Sequence, residues 1–199
     1  DKKISFDLLP RLNDRYQLSG GYDNEYFLTD LFIAQYIYVN NLNINNLLDV
    51  GSRVDGFISN VASFRKINII DIRNVPKELH NIKGKKLDMT GDLKSVPAEQ
   101  YDFITSIHAI EHFGLGRYGD PIDFNGHIKA IRNINKLLMS NGTFFLGVPY
   151  GKENKIIFDC HRELTINSWE KTLIENGFVI QTKYHQYRNG WPRLYKKSL

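Results

Sequence analysis

An α/β domain built on a mostly parallel sheet flanked by helices is what this sequence predicts, on three observations. Short apolar runs of strand length alternate with segments whose apolar residues recur every three or four positions. The runs end in glycine and aspartate, the residues that tight turns at strand ends require. The 199 residues, 42% hydrophobic and 24% charged, suit one domain spanning 1–199 with a sizeable core.

Taken in order, Phe27, Leu28, Leu31, Phe32, Ala34 and Ile37 predict a helix over 26–40 that covers the sheet. "NLLDVG" (46–51) opens a core expected over 46–185 and reads as a buried strand, 47–50, feeding a turn. Phe57, Ile58, Val61 and Ala62 follow at helical spacing. "INIIDI" predicts a second strand at 67–72, "KKLDM" a third at 85–88, and "YDFITSI" a fourth at 102–107. Ile128, Ile131, Ile134, Leu137 and Leu138 mark a helix stopping at Asn141-Gly142, before a fifth strand at 143–148. Asn167 and Glu170 resemble a capping box opening a helix that ends at Gly177. "FVIQTKY" predicts a sixth strand at 178–184, and "RLYKKS" is barely long enough for a seventh.

Composition narrows the partners. Net charge is +4, with lysines and arginines scattered and no run of five or six like charges, so no nucleic-acid partner is indicated. The mild basic balance suits a small anionic ligand. The single cysteine, Cys160, permits no internal disulfide and points to a reducing, cytoplasmic setting. No apolar run approaches the roughly 20 residues of a membrane span, and no signal-peptide pattern opens the chain. The first residue is Asp1 rather than Met, so a longer parent protein is expected. Oligomeric state leaves no mark in the sequence.

Parallel sheets of this kind bind ligands beyond the carboxyl ends of their strands, near the switch in strand order. After the first strand come Asp49, Gly51 and Ser52, where a tight turn meets the free N–H groups of a helix start. Asp71, closing the second strand, can accept from ribose hydroxyls. Asp88 and Met89, after the third, can flank an adenine. Singly, each reads as an ordinary turn with a capping aspartate; in register, the three read as a nucleoside site.

The ordered series "LLDVGS", "IIDI", "LDMTGDL", "YDFITSIHAIEHFG", "GTFFLGVPYG" resembles the class I S-adenosylmethionine-dependent methyltransferases, over about 46–184. "IEHFGLGRYGDPID" with the later "HRELT" resembles a family known only as a domain of unknown function and grouped with them. The resemblance implies a Rossmann-like class I fold and S-adenosylmethionine as cofactor. It places the cofactor loop at Asp49, Gly51 and Ser52, ribose contacts at Asp71 and adenine contacts at Asp88. The usual D-x-G-x-G-x-G loop is altered, because Arg53 and Asp55 stand where glycines are expected. That departure motivates the rival reading of a degenerate, non-catalytic scaffold module that binds cofactor or nucleotide.

"HAIEHF" begins directly after the fourth strand, which by the same resemblance faces the reacting methyl group. Methyl transfer to oxygen or nitrogen needs an aligned acceptor and a base, and histidine titrates near neutrality. His108, Glu111, His112 and, from a second loop at the same sheet edge, His161 are the catalytic candidates. H-x-x-E-H also spells an inverted zinc-peptidase motif, which needs a long helix. Glu111 and His112 further match part of the E-x-x-E-H that holds a divalent cation in ubiquinone-type O-methyltransferases; a metal is possible but not favoured. The plain alternative is that Glu111 and His112 brace neighbouring loops.

"GLGRYGDPID" reads as the acceptor loop. Arg117 either clamps a phosphate or carboxylate or pairs with Asp120 or Asp123. Tyr118, Tyr150 and Arg162 complete the substrate candidates, with Lys152 and Lys155 adding positive charge. The expected reaction is transfer of a methyl group to a hydroxyl, or an amine, on a small anionic acceptor: a sugar phosphate, nucleotide sugar or surface saccharide.

Overall fold

The protein is represented by a computed structural model that describes residues 8–10, 12–20, 22, 24–40, 44–93, 96–186 and the backbone of 193–194. Its first strand, β1 (Leu47–Val50), is buried on both faces, which is why its sequence is an unbroken apolar run apart from Asp49. Leu47 packs toward one core and Leu48 and Val50 toward the other, following the two-residue alternation of a strand. Parallel neighbours flank it: β2 (Ile67–Asp71) with Asp49 opposite Ile69, and β5 (Tyr101–Ile107) with Leu48 opposite Ile104. Beyond β2 lies β4 (Ile82–Lys86), edged by the short antiparallel β3 (Glu78–Leu79). Beyond β5 lies β6 (Leu138–Gly147).

The resulting order, β3-β4-β2-β1-β5-β6, reverses direction between β1 and β5 and so puts a crevice at their carboxyl ends. One face is covered by α1 (Glu25–Val39), α2 (Ser59–Ala62) and the turn before it, through Ile33, Ile37, Phe57, Ile58 and Val61. Asn24 caps α1, its side chain accepting from the Phe27 N–H at 2.8 Å. The other face is covered by α3 (Gly126–Leu137) and α4 (Ile166–Glu175), through Ile131, Ile134, Leu137 and Trp169.

Several elements depart from the sequence expectations. The third strand forms at 82–86 rather than 85–88, because "IKGKK" pairs near the sheet edge with most side chains exposed and leaves no apolar signature. The helix ends at Leu137, short of Asn141-Gly142, and β6 starts at Leu138. Asn141 instead sits at φ 63° where the β5–β6 register shifts between Tyr101 and Phe103. The cap of α4 is Thr165, accepting from the Ser168 N–H at 3.2 Å, not Asn167 with Glu170. Thr165→Ala is therefore expected to cost about 1 kcal/mol, visible as a fall in Tm of roughly 2–4 °C, while Asn167→Ala leaves Tm unchanged.

The expected strand at 178–184 does not form. Val179 is 86% exposed, and only Tyr184–His185 (β9) pairs, antiparallel with Arg193–Leu194 (β10), in a separate ribbon. Most of "RLYKKS" lies outside the described residues. A hairpin absent from the sequence reading, β7 (Lys155–Ile157) with β8 (His161–Glu163), rises beside the crevice.

Candidate active site

The loop after β1 is built from beneath. Asp49, 1% exposed, accepts from the Ser52 N–H (2.9 Å), the Ser52 hydroxyl (2.6 Å) and the Thr105 hydroxyl (2.7 Å). The Ser52 hydroxyl in turn accepts from the Ile107 N–H at 3.0 Å, locking the loop to β5. Burial raises the Asp49 carboxyl to about 6 despite these donors. Asp49 and Ser52 thus brace the loop with their side chains turned inward, outside the cavity wall.

Above them, Gly51 stands at φ 81°, and a Cβ there would lie 2.9 Å from the Ala109 Cβ and 3.1 Å from the Phe113 ring. The chain then turns through a single π-type turn, Val54–Ile58, in which a Cβ on Gly56 would meet the Asp30 carboxylate at 2.5 Å. The two glycines that remain in the altered motif are therefore the two that a side chain would obstruct. Arg53 and Asp55 stand at its surface, 71% and 72% exposed, paired with each other at 2.6 Å.

Gly51, Asp71, Asp88 and Met89 line one cavity of about 250 Å³, together with His108, His112, Arg117 and Tyr118. Leu87, Met89 and Ile70 supply apolar walls at the end nearest β4. Asp88 is held by its own turn, accepting from the Thr90 N–H and hydroxyl at 2.8 Å each. Asp71 is paired with Arg73 at the cavity wall: Oδ1 accepts from the Arg73 N–H (2.8 Å) and Nε (2.9 Å), and Oδ2 from Nη2 (2.5 Å). Oδ2 keeps a lone pair for a further donor. Arg73 also lies over the Tyr118 ring, 4.6 Å from its centroid, tying the β2 turn to the loop after β5.

His108 follows β5 at φ 51°, a strained conformation for a residue with a side chain, and packs against Tyr26 of α1 at 4.6 Å between ring centroids. Glu111, 2% exposed, lies behind the wall between the two histidines. Its Oε1 is 3.6 Å from His112 Nε2 and 4.0 Å from His108 Nδ1, while its Oε2 and His108 Nε2 have no hydrogen-bond partner among the described residues. Burial drives Glu111 up to about 8 and His108 down to about 4, so both are neutral at pH 7. His112 is likewise lowered by burial, and its Nδ1 donates to the Cys160 carbonyl at 2.5 Å, leaving Nε2 as the accepting nitrogen.

Unfolded chains ionise Glu111 near 4.5 whereas the folded protein keeps it protonated to about 8, so this residue costs stability as pH rises across that window. Glu111→Gln is expected to raise Tm at pH 8 and leave it unchanged at pH 4. Parallel Tm curves for the two proteins across that range would contradict the buried, protonated carboxyl.

Of the remaining sequence candidates, Arg117 and Tyr118 line the cavity and Arg162, Tyr150 and His161 do not. Arg117 donates to the Cys160 carbonyl (3.1 Å) and pairs with neither Asp120 nor Asp123. Asp120 accepts from the Gly114, Gly116 and Tyr118 N–H groups, and Asp123 pairs with Lys129 at 2.7 Å. Arg162 is 1% exposed and its guanidinium is directed at the backbone carbonyls of Glu111, Phe113, Asp123 and Phe124, away from the cavity. Tyr150 bonds His185 at 2.9 Å, and His161 contacts Cys160 Sγ at 3.1 Å; neither lines the cavity. Lys155 pairs with Glu163. Among the described residues no group of three or more His, Cys, Asp and Glu is placed to hold a metal, and 110–112 form one 3-10 turn rather than the long helix of a zinc peptidase. Tyr26, Asp30 and Arg73 line the cavity and were not among the sequence candidates. Tyr26 and Asp30 stand one turn apart on α1, a spacing that puts them on one face.

This architecture is the Rossmann-like fold of class I S-adenosylmethionine-dependent methyltransferases. The 1,6-didemethyltoxoflavin-N1-methyltransferase of Burkholderia thailandensis, solved with S-adenosylhomocysteine, is 12% identical, with a TM-score of 0.58 over 83% of this chain and 75% of that one. A SAM-dependent methyltransferase of Leishmania major is 12% identical, with a TM-score of 0.60 over 84% and 71% of the two chains. The N-methyltransferase NodS of Bradyrhizobium japonicum, also with S-adenosylhomocysteine, is 16% identical, with a TM-score of 0.52 over 82% and 79%. At these identities the likeness is one of fold. No curated protein sequence matches significantly. The chain belongs to the family described as Caenorhabditis protein of unknown function, DUF268, whose model matches residues 68–187.

Proposed function

We propose that this protein is an S-adenosylmethionine-dependent methyltransferase acting on a hydroxyl, or an amine, of a small anionic acceptor. The observation that carries the reading is one continuous cavity joining Gly51, Asp71, Asp88 and Met89 to His108, His112 and Arg117 at the switch in strand order. The residues fit the cofactor: acceptor carboxylates at two successive strand ends, an apolar slot beside them, and a turn whose Gly51 leaves no room for a side chain. Bound there, S-adenosylmethionine supplies an electrophilic methyl on a sulfonium.

The chain's own groups do the rest. Asp88 takes the exocyclic amine and Asp71 a ribose hydroxyl through its spare lone pair. Neutral histidine at the wall accepts the acceptor's proton, with His108 and His112 as the candidates, and Glu111 lies within reach of both. His161, beside Cys160, is the remaining candidate base. Arg117, free of a carboxylate partner among the described residues, pairs with an anionic group of the acceptor. A sugar phosphate, nucleotide sugar or saccharide fits that charge and the polar loop that carries it. Tyr118, whose ring centroid lies 4.6 Å from the Arg73 guanidinium and 5.3 Å from that of Arg117, closes the same side.

The test is labelled S-adenosylmethionine with panels of sugar phosphates, nucleotide sugars and their neutral counterparts. Turnover confined to anionic acceptors is expected, with Arg117→Ala raising KM about 10- to 100-fold and changing kcat little. Equal turnover of neutral acceptors, or an unchanged KM, would remove Arg117 from recognition.

A further inference from the structure

Two carboxyls in the cavity wall belong to no strand end, Asp30 and Asp120, and Asp120 is taken up by the Gly114, Gly116 and Tyr118 N–H groups. Asp30, carried by α1, meets the loop after β1 at Gly56. The point where a Gly56 Cβ would stand is 2.5 Å from Asp30 Oδ2 and 3.8 Å from the Arg53 Cβ. Asp30, Gly51 and Arg53 all line the cavity, which continues through Asp71 to Asp88. Of the two acids in the loop itself, Asp49 already accepts three hydrogen bonds beneath the turn and Asp55 pairs with Arg53, and neither lines the cavity. Asp30 makes no ion pair among the described residues.

We propose that Asp30 receives the ammonium group at the amino-acid end of S-adenosylmethionine, so that α1 rather than the altered loop supplies the counter-charge there. This rests on reading the cavity as the cofactor site. It accounts for the retained Gly56, since a side chain there would displace the carboxylate. It also gives α1 a binding role that a cover for the sheet does not need. Burial and the nearby Asp49 raise Asp30 to about 7, with the Phe57 N–H, Arg53 and Asp55 as the other groups acting on it. An ammonium ion beside it would offset that penalty.

Calorimetric titration of wild type and Asp30→Asn with three ligands tests the assignment: S-adenosylhomocysteine, its counterpart lacking the amino group, and 5′-methylthioadenosine. Wild type should bind the desamino compound about 10- to 100-fold more weakly than S-adenosylhomocysteine, the range of a charge-assisted hydrogen bond. Asp30→Asn should lose that preference while binding 5′-methylthioadenosine as wild type does. Equal wild-type affinity for the first two ligands, with 5′-methylthioadenosine still bound, would overturn the role of Asp30 and leave the cofactor reading standing. So would a preference that survives in Asp30→Asn. If wild type bound none of the three, both readings would fall. If the variant does not fold, equal wild-type affinity for the first two ligands still overturns the assignment.

Discussion

Arg162→Met is expected to destabilise the fold by about 3–5 kcal/mol, a fall in Tm of roughly 6–20 °C. Arg162 leaves β8 almost wholly buried and donates to Phe113 O (2.5 Å), Phe124 O (3.1 Å), Asp123 O (3.3 Å) and Glu111 O (3.4 Å). Those carbonyls belong to the turn after β5 and to the loop entering α3, so one guanidinium fixes the hairpin, the histidine turn and the acceptor loop together. Methionine matches much of the volume but removes the donor from four carbonyls, one of the contacts buried and three part-buried. Lysine cannot restore them, because a point charge does not reproduce the planar fork, and Arg162→Lys should remain well below wild type. Thermal denaturation reads the effect. Wild-type Tm with lost turnover would instead mean that Arg162 acts on substrate.

Gly51→Ala is expected to cost about 1–3 kcal/mol and to abolish S-adenosylhomocysteine binding. At φ 81° an alanine is strained in its backbone, and its methyl would press on Ala109 and Phe113. Gly51 also anchors both sides of the crevice: its N–H donates to Ile70 O at 2.9 Å, and its carbonyl accepts from Arg73 at 3.3 Å. Relief of the clash pushes the 108–113 turn outward, into the space where the acceptor and the cofactor must meet. A Gly51→Ala protein with wild-type stability and affinity would show that the loop is more compliant than its packing implies.

How much was legible in the sequence depends on burial. β1, β2 and β5 are covered on both faces and appear as apolar runs, so their ends gave Gly51, Asp71 and His108 directly. β4 pairs at the flank with lysines outward, so its strand character is written in pairing rather than composition. "FVIQTKY" has the composition of a strand, yet among the described residues only its last member, Tyr184, pairs; Phe178 packs on Phe144 (5.2 Å between rings) while Val179 faces solvent. Arg162 read as a substrate-binding cation because arginine is rarely buried unless paired, and its carbonyl partners are 38 to 51 positions away. Asp30 and Tyr26 were missed for a related reason. They sit on a helix whose apolar face explained its presence, and only the folded sheet brings their other face to Gly56 and His108.

The claim that this cavity holds S-adenosylmethionine is tested most directly by a crystal structure of the protein grown with saturating S-adenosylhomocysteine. Adenine is expected against Leu87 and Met89 with its amine on Asp88, ribose on Asp71, and the homocysteine running over Gly51 toward Asp30. Ligand bound elsewhere on the protein, or an empty cavity at saturating concentration, would contradict it.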